Sequence, residues 1–418
     1  MKKINLEIKA LSPLAIGRQK PGGNISEAET FIPGSVIRGA VAGQILKEAN
    51  QQIEEGDDFH KLFLSENPAL FQNAYPGNLK IDDIDIIKND VRVLPTTVLS
   101  SKRKSGFKSQ EAEETGNNGV FDTLIDRFCA ENHSQIYHPN CPIEKTMYGE
   151  RVDNFSSFYA EHNDEYYSPS AKTRLLTRVG INRRRATSEE RVLYSIEVLN
   201  ESKERKKQPA IYTSAILVPD DLVDSLHTFI DNHQHNFRLG GSSSRGLGKV
   251  KITAKKQSDI KSNVDNQINQ FNQKLRIRWN EWGNIFGNAS ELPSSRIYFT
   301  IDLQADAILT ENWRRTTVIS ETMLHQVTGV NDSSLQLYTA YSSYDYRSGW
   351  NAAWGLMKDV ELVTNRGSVY LFSTENKDLW LKAWEDLEVY GIGDRTSEGF
   401  GQVQICNEFH NVFQEEAL

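Results

Sequence analysis

The sequence predicts an α+β fold that consists of two tandem ferredoxin-like domains. The first observation behind this prediction is a repeated glycine-rich phrase. GGSSSRGLGKV at residues 240–250 and GDRTSEGFGQV at residues 393–403 share the pattern G-x-x-x-x-x-G-[LF]-G-x-V. The second observation is that each copy follows a predicted helix and precedes a predicted strand. Both halves therefore end as strand, helix, glycine loop, strand, and this β-α-β order is typical of a ferredoxin-like sheet with helices on one side.

The elements of the first half follow from local patterns. Alternating apolar residues in INLEIKA predict an N-terminal strand, and a glycine- and charge-rich loop follows it. Ser35 is a suitable N-cap for the helix SVIRGAVAGQILKEAN. VLYSIEVL and AIYTSAILVP predict strands, DDLVDSLHTFIDNH predicts a helix, and KVKITA predicts the closing strand. The polar residues 101–170 form a long insertion, which is expected to be irregular and either functional or disordered.

The second half repeats this scheme. RIYFTIDLQADAIL predicts a strand pair, GSVYLF a buried strand, and LWLKAWEDLEVYG a helix that ends at its glycine. QVQICN closes the unit as a strand. Residues 256–292 are polar and rich in Asn and Gln, which indicates a helical linker with little apolar periodicity. The predicted organisation is an N-terminal domain at 1–255, this linker, and a C-terminal domain at 293–418.

Composition restricts the class of protein. The 418 residues are 38% hydrophobic and 25% charged, as in soluble globular proteins. The net charge of −8 argues against a uniformly basic nucleic-acid binder, but the charge is uneven, since residues 173–186 contain five arginines and no acid. No apolar run could span a membrane and no signal peptide is evident, so we expect a cytoplasmic protein without a membrane partner. Its three cysteines are expected to stay reduced.

The glycine phrase can bind an anion or can simply form a turn. Glycines allow successive N–H groups to point one way and form an anion nest, and Arg245 or Arg395 could then hold a phosphate. The alternative is a plain connection between helix and strand. The phrase lacks GK[ST] and precedes a strand, so no nucleotide cofactor is expected. Guanidinium groups on the neighbouring basic strand could also bind phosphates. These arginines are Arg178, Arg183, Arg184 and Arg185.

Several motifs together resemble the RAMP superfamily, RNA-binding proteins of CRISPR systems built from ferredoxin-like (RNA-recognition-motif-like) domains. SPLAIG followed by FIPGSVIRGAVAG resembles its N-terminal signature, and TRVGINRRRATSEERVLYSIEVL resembles its central basic strand. DAIL, GWNAAWGLMK, GSVYLF and GIGDRTSEGFG resemble the second half of the Csx-ten family, the Cas-five-type subunit of type III-D effector complexes. The likeness covers most of the chain except residues 50–170 and 256–292.

The resemblance implies a role and partners. Subunits of this type bind the 5′ handle of the CRISPR RNA (crRNA), cap the effector complex, and contact target RNA only indirectly. They adjoin the Cas-ten-type large subunit and Cas-seven-type backbone subunits, and most are not enzymes. The alternatives are a Cas-seven-type backbone subunit, a RAMP endoribonuclease that cleaves target or precursor RNA, and a mainly structural bridge. The loop RQKPGGNISEAET lacks the aspartate that target cleavage requires in backbone subunits, which argues against nuclease activity.

The candidate RNA-binding residues combine cations, glycine-loop groups and aromatic side chains that could stack on unpaired bases. The second glycine phrase carries Asp394 and Glu398, which would repel phosphate, so the first phrase is expected to contact RNA more. The full set is Arg18, Lys20, Arg38, Arg178, Arg183, Arg184, Arg185, Gly240, Gly241, Ser242, Ser243, Arg245, Gly246, Gly248, Tyr346, Arg347, Trp350 and Arg395.

A structural zinc site is a separate hypothesis. Cys129, His133, His138 and Cys141 form the pattern C-x3-H-x4-H-x2-C. Four nitrogen and sulfur ligands suit tetrahedral zinc, and a metal would support a region poor in core residues. The spacing is not that of a standard zinc finger, and the alternative is two buried thiols with two surface histidines.

Overall fold

The first half of the chain folds into a ferredoxin-like unit. The computed structural model describes residues 1–18, 27–49, 54–81, 84–88, 90–108, 116–141, 150–163, 165–182, 187–203, 208–256, 260, 262–287, 291–351 and 355–418. Helices Gly34–Glu48 and Val223–Asn232 bury apolar residues against the antiparallel N-terminal sheet. The order of its strands across the sheet is Val250–Lys256, Lys2–Ala10, Ile211–Val218 and Leu70–Phe71, with Tyr75–Pro76 also paired to the third.

The second half has the same topology. Helices Glu321–Thr328 and Lys377–Tyr390 connect the strands of the antiparallel C-terminal sheet. In both sheets the fourth strand of the unit lies beside the first, and the third lies between the first and the second. The α+β prediction of two tandem ferredoxin-like domains is therefore confirmed. The strands of the C-terminal sheet lie in the order Gln336–Tyr341, Val369–Thr374, Ile297–Leu303 and Val403–Ile405.

The predicted linker contains a packed helix. Val264–Phe286 is helical, and its buried apolar residues belong to the core of the C-terminal unit. They recur three or four positions apart, as on one face of a helix, so the segment has the apolar periodicity that its polar composition conceals. The helix is thus an added layer on the C-terminal unit and not a free connection, while the exact domain boundaries stay a prediction. The buried apolar side chains are Val264, Ile268, Phe271, Leu275 and Trp279.

The insertion also packs on the C-terminal unit. Helix Leu124–Asn132 buries Leu124, Ile125 and Phe128 in the same core as the C-terminal sheet. The backbone of Val120 exchanges hydrogen bonds with that of Leu418 at 2.8 and 3.0 Å. The described parts of 101–170 are therefore held by tertiary contacts, which corrects the expectation of an irregular region poor in core residues.

A buried ionic cluster joins the insertion to the C-terminal unit. His410 is fully buried, with Nε2 2.8 Å from Asp302 and Nδ1 3.2 Å from Asp122. Asp122 comes from the insertion and Asp302 from the C-terminal sheet. Burial alone would lower the pKa of His410, but the two carboxylates raise this pKa to about 10. His410 is therefore positively charged at neutral pH and forms a buried ionic contact between the insertion and the C-terminal unit.

Two long hairpins form two-stranded sheets separate from the N-terminal and C-terminal sheets. The first hairpin pairs Thr173–Asn182 with Thr187–Leu199, and the second hairpin pairs Tyr344–Asn351 with Leu356–Thr364. None of the described helices is long and apolar enough to cross a membrane. The remaining strands are Gly17–Arg18, Glu27–Ala28, Asn78–Ile81, Ile84–Ile87, Arg92–Val93, Val98–Ser101, Val120–Asp122, Val152–Asn154, Phe158–His162, Glu165–Tyr167, Ser202–Lys203, Gln208–Pro209, Leu309–Glu311 and Arg314–Thr316, with one short helix at Asp58–Phe63.

Candidate nucleic-acid interface

The two glycine phrases, called the first and second glycine loops below, adopt one backbone conformation. Each contains four residues with positive φ at corresponding positions. The φ values pair as 86° and 88°, 57° and 60°, 85° and 91°, and 82° and 65°. The repeated phrase is therefore a repeated structure, because the glycines occupy left-handed positions that other residues rarely adopt. The pairs are Gly240 and Gly393, Ser242 and Arg395, Gly246 and Gly399, and Gly248 and Gly401.

Each loop is fastened to the segment that follows the first strand of its own unit. The N–H of Gly241 donates to the Ala15 carbonyl at 2.9 Å, and the N–H of Asp394 donates to the Ile308 carbonyl at 2.8 Å. A Cβ on Gly240 would lie 2.5 Å from the Ala15 oxygen. Glycine is thus required there both by φ and by the closeness of the two backbones.

A pair of substitutions separates these two demands. Gly246→Ala adds a Cβ with nothing within 4 Å, so we expect it to cost only the left-handed strain, about 1 kcal/mol. Gly248→Ala would place its Cβ 2.6 Å from the Leu239 carbonyl oxygen, and we expect a clearly larger loss of stability. Thermal or denaturant unfolding of the two variants measures the difference. Equal losses would contradict the close approach at Gly248.

The surroundings of the two loops differ. Ser243, Ser244, Arg245 and Gly246 of the first glycine loop are exposed. The second glycine loop packs against the N-terminal unit, where the Asn73 side chain donates to the Gly399 carbonyl at 3.1 Å. The second loop thus forms a joint between the two units, whereas the first loop faces solvent.

The acidic side chains of the second glycine loop are paired with basic side chains inside and outside the loop. The Arg395 guanidinium lies 2.6 Å from the Glu398 carboxylate, and the Lys358 ammonium lies 3.4 Å from it. Burial alone would raise the pKa of Glu398, but the hydrogen bond and charge of Arg395, with help from Lys358, lower it. Arg395, one of the predicted RNA contacts, is therefore occupied by a carboxylate of its own loop.

A cationic cluster lies beside the first glycine loop. Arg178 pairs across the first hairpin with Tyr194. The Arg245 guanidinium lies 5.6 Å from the centre of the Tyr194 ring and donates to its hydroxyl at 2.6 Å. Arg178 donates to the Arg245 carbonyl at 3.4 Å. Among the described residues, neither arginine has a carboxylate within 4 Å, so this cluster is free to bind an anion.

Tyr194 belongs to this cluster but was not among the RNA-binding residues predicted from the sequence. It lies in the strand VLYSIEVL, and the register of the first hairpin places it opposite Arg178. An alternating strand that follows a basic strand was the available signal. The sequence does not give the pairing register of the two strands, because the register depends on the turn between them. Residues 183–186 of that turn lie outside the described residues.

Two other candidate arginines are used in contacts between the units. Arg18 pairs with Asp345 of the second hairpin. Arg347 of the second hairpin pairs with Glu29 of the N-terminal unit and lies 2.5 Å from Asp306. These ion pairs attach the second hairpin to both units, so the structure gives both arginines a structural role.

The remaining candidates fall into three groups. Arg38 lies 5.2 Å from the centre of the Phe63 ring and donates to the Phe63 carbonyl at 2.8 Å. Tyr346 is exposed on the second hairpin and makes an edge-to-face contact with Tyr344. Outside the described part of the chain lie Lys20, Arg183, Arg184, Arg185 and the side chain of Trp350.

The four predicted zinc ligands are not brought together. Cys129 is fully buried in the core of the C-terminal unit, because its helix packs there. The Nδ1–H of His133 donates a hydrogen bond to the Cys129 carbonyl at 2.7 Å, and the centre of its ring lies 4.9 Å from that of Trp279. The backbone of Cys141 forms an antiparallel bridge with that of Glu150. Within the described ranges no three His, Cys, Asp or Glu side chains form a metal-binding group.

The chain is therefore a protein of two tandem ferredoxin-like units, each of which ends with the same glycine-rich loop and a closing strand. The sequence matches the RAMP superfamily over residues 7–251, and the chain belongs to this family. No curated protein matches the sequence.

Two solved chains illustrate the structural similarity. One, from a cryo-EM structure of type III-B Cmr-beta bound to cognate target RNA and AMPPnP, is 13% identical over 91% of this chain and 88% of that chain, with a TM-score of 0.40. Another, from type III-B Cmr-beta bound to cognate target RNA, is 11% identical over 96% of each chain, with a TM-score of 0.42.

Proposed function

We propose that this chain is a non-catalytic RNA-binding subunit of a type III CRISPR effector complex, of the type III-D Cas-five kind. In this proposal it binds the 5′ handle of the crRNA, caps the complex beside the Cas-ten-type subunit, and adjoins Cas-seven-type backbone subunits. Family membership and the sequence motifs support this role. The observation that carries RNA binding is the exposed first glycine loop with the Arg178 and Arg245 cluster.

The first glycine loop has the chemistry that phosphate binding requires. The backbone N–H groups of Gly241 and of residues 245–248 donate to carbonyls of the N-terminal unit, so the loop would bind a phosphate chiefly through its side chains. Exposed hydroxyls of Ser243 and Ser244 can donate to phosphate oxygens, and Arg245 adds a charge-assisted donor. Tyr194 holds that guanidinium in place, which lowers the entropy lost on binding.

The second glycine loop supplies the contrast. It has the same backbone conformation, yet its arginine is paired and it packs on the neighbouring unit. We infer that one copy of the loop binds RNA and that the other copy holds the two units together. In this proposal both copies of the loop have the same backbone conformation, but only the first copy binds a ligand.

Replacement of both free arginines tests the proposal. We expect Arg178→Ala with Arg245→Ala to weaken binding of repeat-derived RNA about tenfold or more, since charged hydrogen bonds are lost. The slope of log affinity against log salt should flatten by about 0.7 for each phosphate contact removed. The RNA should stay intact with and without Mg²⁺ throughout the titration.

Arg395→Ala is the matched control, because it removes an arginine from the second glycine loop. We expect that variant to leave the salt slope unchanged. An unchanged slope in the double variant would reject the RNA site at the first loop. Absence of RNA binding by the parent protein would reject the function, and a specific cut in the RNA would favour an endoribonuclease.

A further inference from the structure

A fully exposed tryptophan projects from a tight turn of the C-terminal unit. Strands Leu309–Glu311 and Arg314–Thr316 pair, and only Asn312 and Trp313 connect them. Both connecting residues have positive φ, 48° and 63°, as in a type I′ turn. The Trp313 side chain is 101% exposed, so the protein itself gives it no cover.

Trp313 is energetically unfavourable at this position in two respects, and no contact within the described structure compensates. The second position of such a turn favours glycine, and a bulky side chain with left-handed backbone is strained. Full exposure of an indole also leaves its apolar surface in water. Strain and exposure that bring no local contact point to a function outside the fold.

The hairpin holds Trp313 rigidly. Arg315 reaches Asp394 at 2.5 Å and Glu361 at 2.7 Å, and so ties the hairpin to the second glycine loop and the second hairpin. The Ser320 hydroxyl donates to the carboxylate of Glu311, the residue directly before the turn. A side chain on such a braced turn can stack on a ligand with little further loss of backbone entropy.

We propose that Trp313 is a second RNA contact, at which an unpaired base stacks on the indole. The exposed Arg314 lies next to it and can bind the adjoining phosphate. A protein-docking tryptophan normally lies within an apolar patch. The side chains that hydrogen-bond or ion-pair with this hairpin include the polar Ser320 and the charged Asp394 and Glu361. An exposed indole beside the exposed Arg314, for which the described part of the chain shows no ion pair, suits a base better. This inference rests on the proposed RNA-binding function.

Trp313→Gly tests the site, with oligouridine as the single-stranded probe and a blunt RNA duplex as the second probe. Loss of one base stack should weaken oligouridine binding about 5- to 150-fold, which corresponds to 1–3 kcal/mol. Binding of the duplex should not change, because its bases are paired and stacked on one another. The salt slope should not change either, because the loss of the indole removes no ion pair with a phosphate. The variant should melt at an equal or higher temperature, since Asn-Gly is the favoured sequence for this turn.

The controls distinguish the outcomes. Tyr390→Ala removes another exposed aromatic residue, at the end of helix Lys377–Tyr390, and should leave oligouridine affinity unchanged. Trp313→Phe should retain most of the binding that Trp313→Gly loses. If the parent binds RNA and Trp313→Gly binds equally well, the stacking site is overturned while the proposed function stands. Loss of a partner subunit by Trp313→Gly with unchanged RNA binding would show instead that Trp313 docks a protein.

Discussion

Replacement of His410 by alanine is expected to destabilise the protein by about 3–5 kcal/mol, the usual cost of removing one partner from a buried ion pair. The imidazole lies between Asp122 and Asp302, at 3.2 and 2.8 Å, and all three side chains are buried. Without it, two carboxylates would share a dry site with no cation between them. Chemical denaturation of parent and variant measures the loss.

The remaining hydrogen bonds would not compensate for this loss. Asp122 would keep the Thr97 hydroxyl at 2.5 Å and the N–H of Leu124 at 2.7 Å. Asp302 would keep the Thr300 hydroxyl at 2.6 Å. These neutral donors satisfy oxygen atoms, but they do not cancel the repulsion between two buried negative charges.

The same cluster gives stability a pH dependence. The pKa of His410 is about 10 in the folded protein, above the value of about 6.5 for an unfolded histidine. Its contribution is therefore complete below about pH 6.5, falls as pH rises, and is lost above about pH 10. The difference in unfolding free energy between the parent and His410→Ala should shrink over this window, by at most about 1.4 kcal/mol for each pH unit.

His235→Ala is the matched control because His235 is exposed. We expect it to change neither the stability at neutral pH nor its pH dependence. A difference between parent and His410→Ala that stays constant from pH 6.5 to 10 would show that His410 is not charged in the native state. A loss well under 1 kcal/mol would show that the cluster is not buried in solution.

Local features of the sequence predicted the repeated unit well. A glycine phrase makes demands on its own backbone, and Gly240 and Gly393 meet the same demand 153 positions apart. The charges of the two copies also led to the prediction that the first copy contacts RNA more than the second, and this stays a prediction; in the structure Glu398 has an arginine partner in its own loop. Such information is local, so it can be found without knowledge of the tertiary fold.

Contacts between distant segments could not be predicted in this way. The helix Val264–Phe286 appeared to be a linker because its polar residues outnumber its five buried apolar residues. Cys129 suggested a metal ligand, but its helix packs into a core formed mostly by residues more than 130 positions later. Burial of this kind depends on which surface an insertion meets, and that surface is not encoded near the insertion.

The same limit separates the candidate arginines that have an acidic partner from those that have none among the described residues. Arg178 and Arg347 both lie on hairpin strands beside aromatic residues. Arg347 finds Glu29 across 318 positions of sequence, while Arg178 has no acidic partner among the described residues. Local composition was therefore enough to propose both, and only tertiary pairing distinguishes them.

Arg347→Ala is expected to lower stability by about 3 kcal/mol and to leave the salt dependence of RNA binding unchanged. Its guanidinium is largely buried and lies between Glu29, which is 5% exposed, and Asp306. Burial would lower the pKa of Arg347, but the charges of Asp306 and Glu29 raise it, so this cation is permanent. Its removal would leave Glu29 as a buried carboxylate without its cation.

A second substitution shows whether charge or shape is responsible. We expect Arg347→Gln with Glu29→Gln to recover much of the stability, because a neutral pair of similar volume avoids the unpaired charge. Asp306 keeps the N–H of Arg366 at 2.9 Å in both variants, so it is the smaller part of the loss. Denaturant unfolding of the parent, of Arg347→Gln, of Glu29→Gln and of the double variant gives the coupling energy of the pair. If the single variant were stable and the salt slope flattened, Arg347 would be an RNA contact and not a tie between the units.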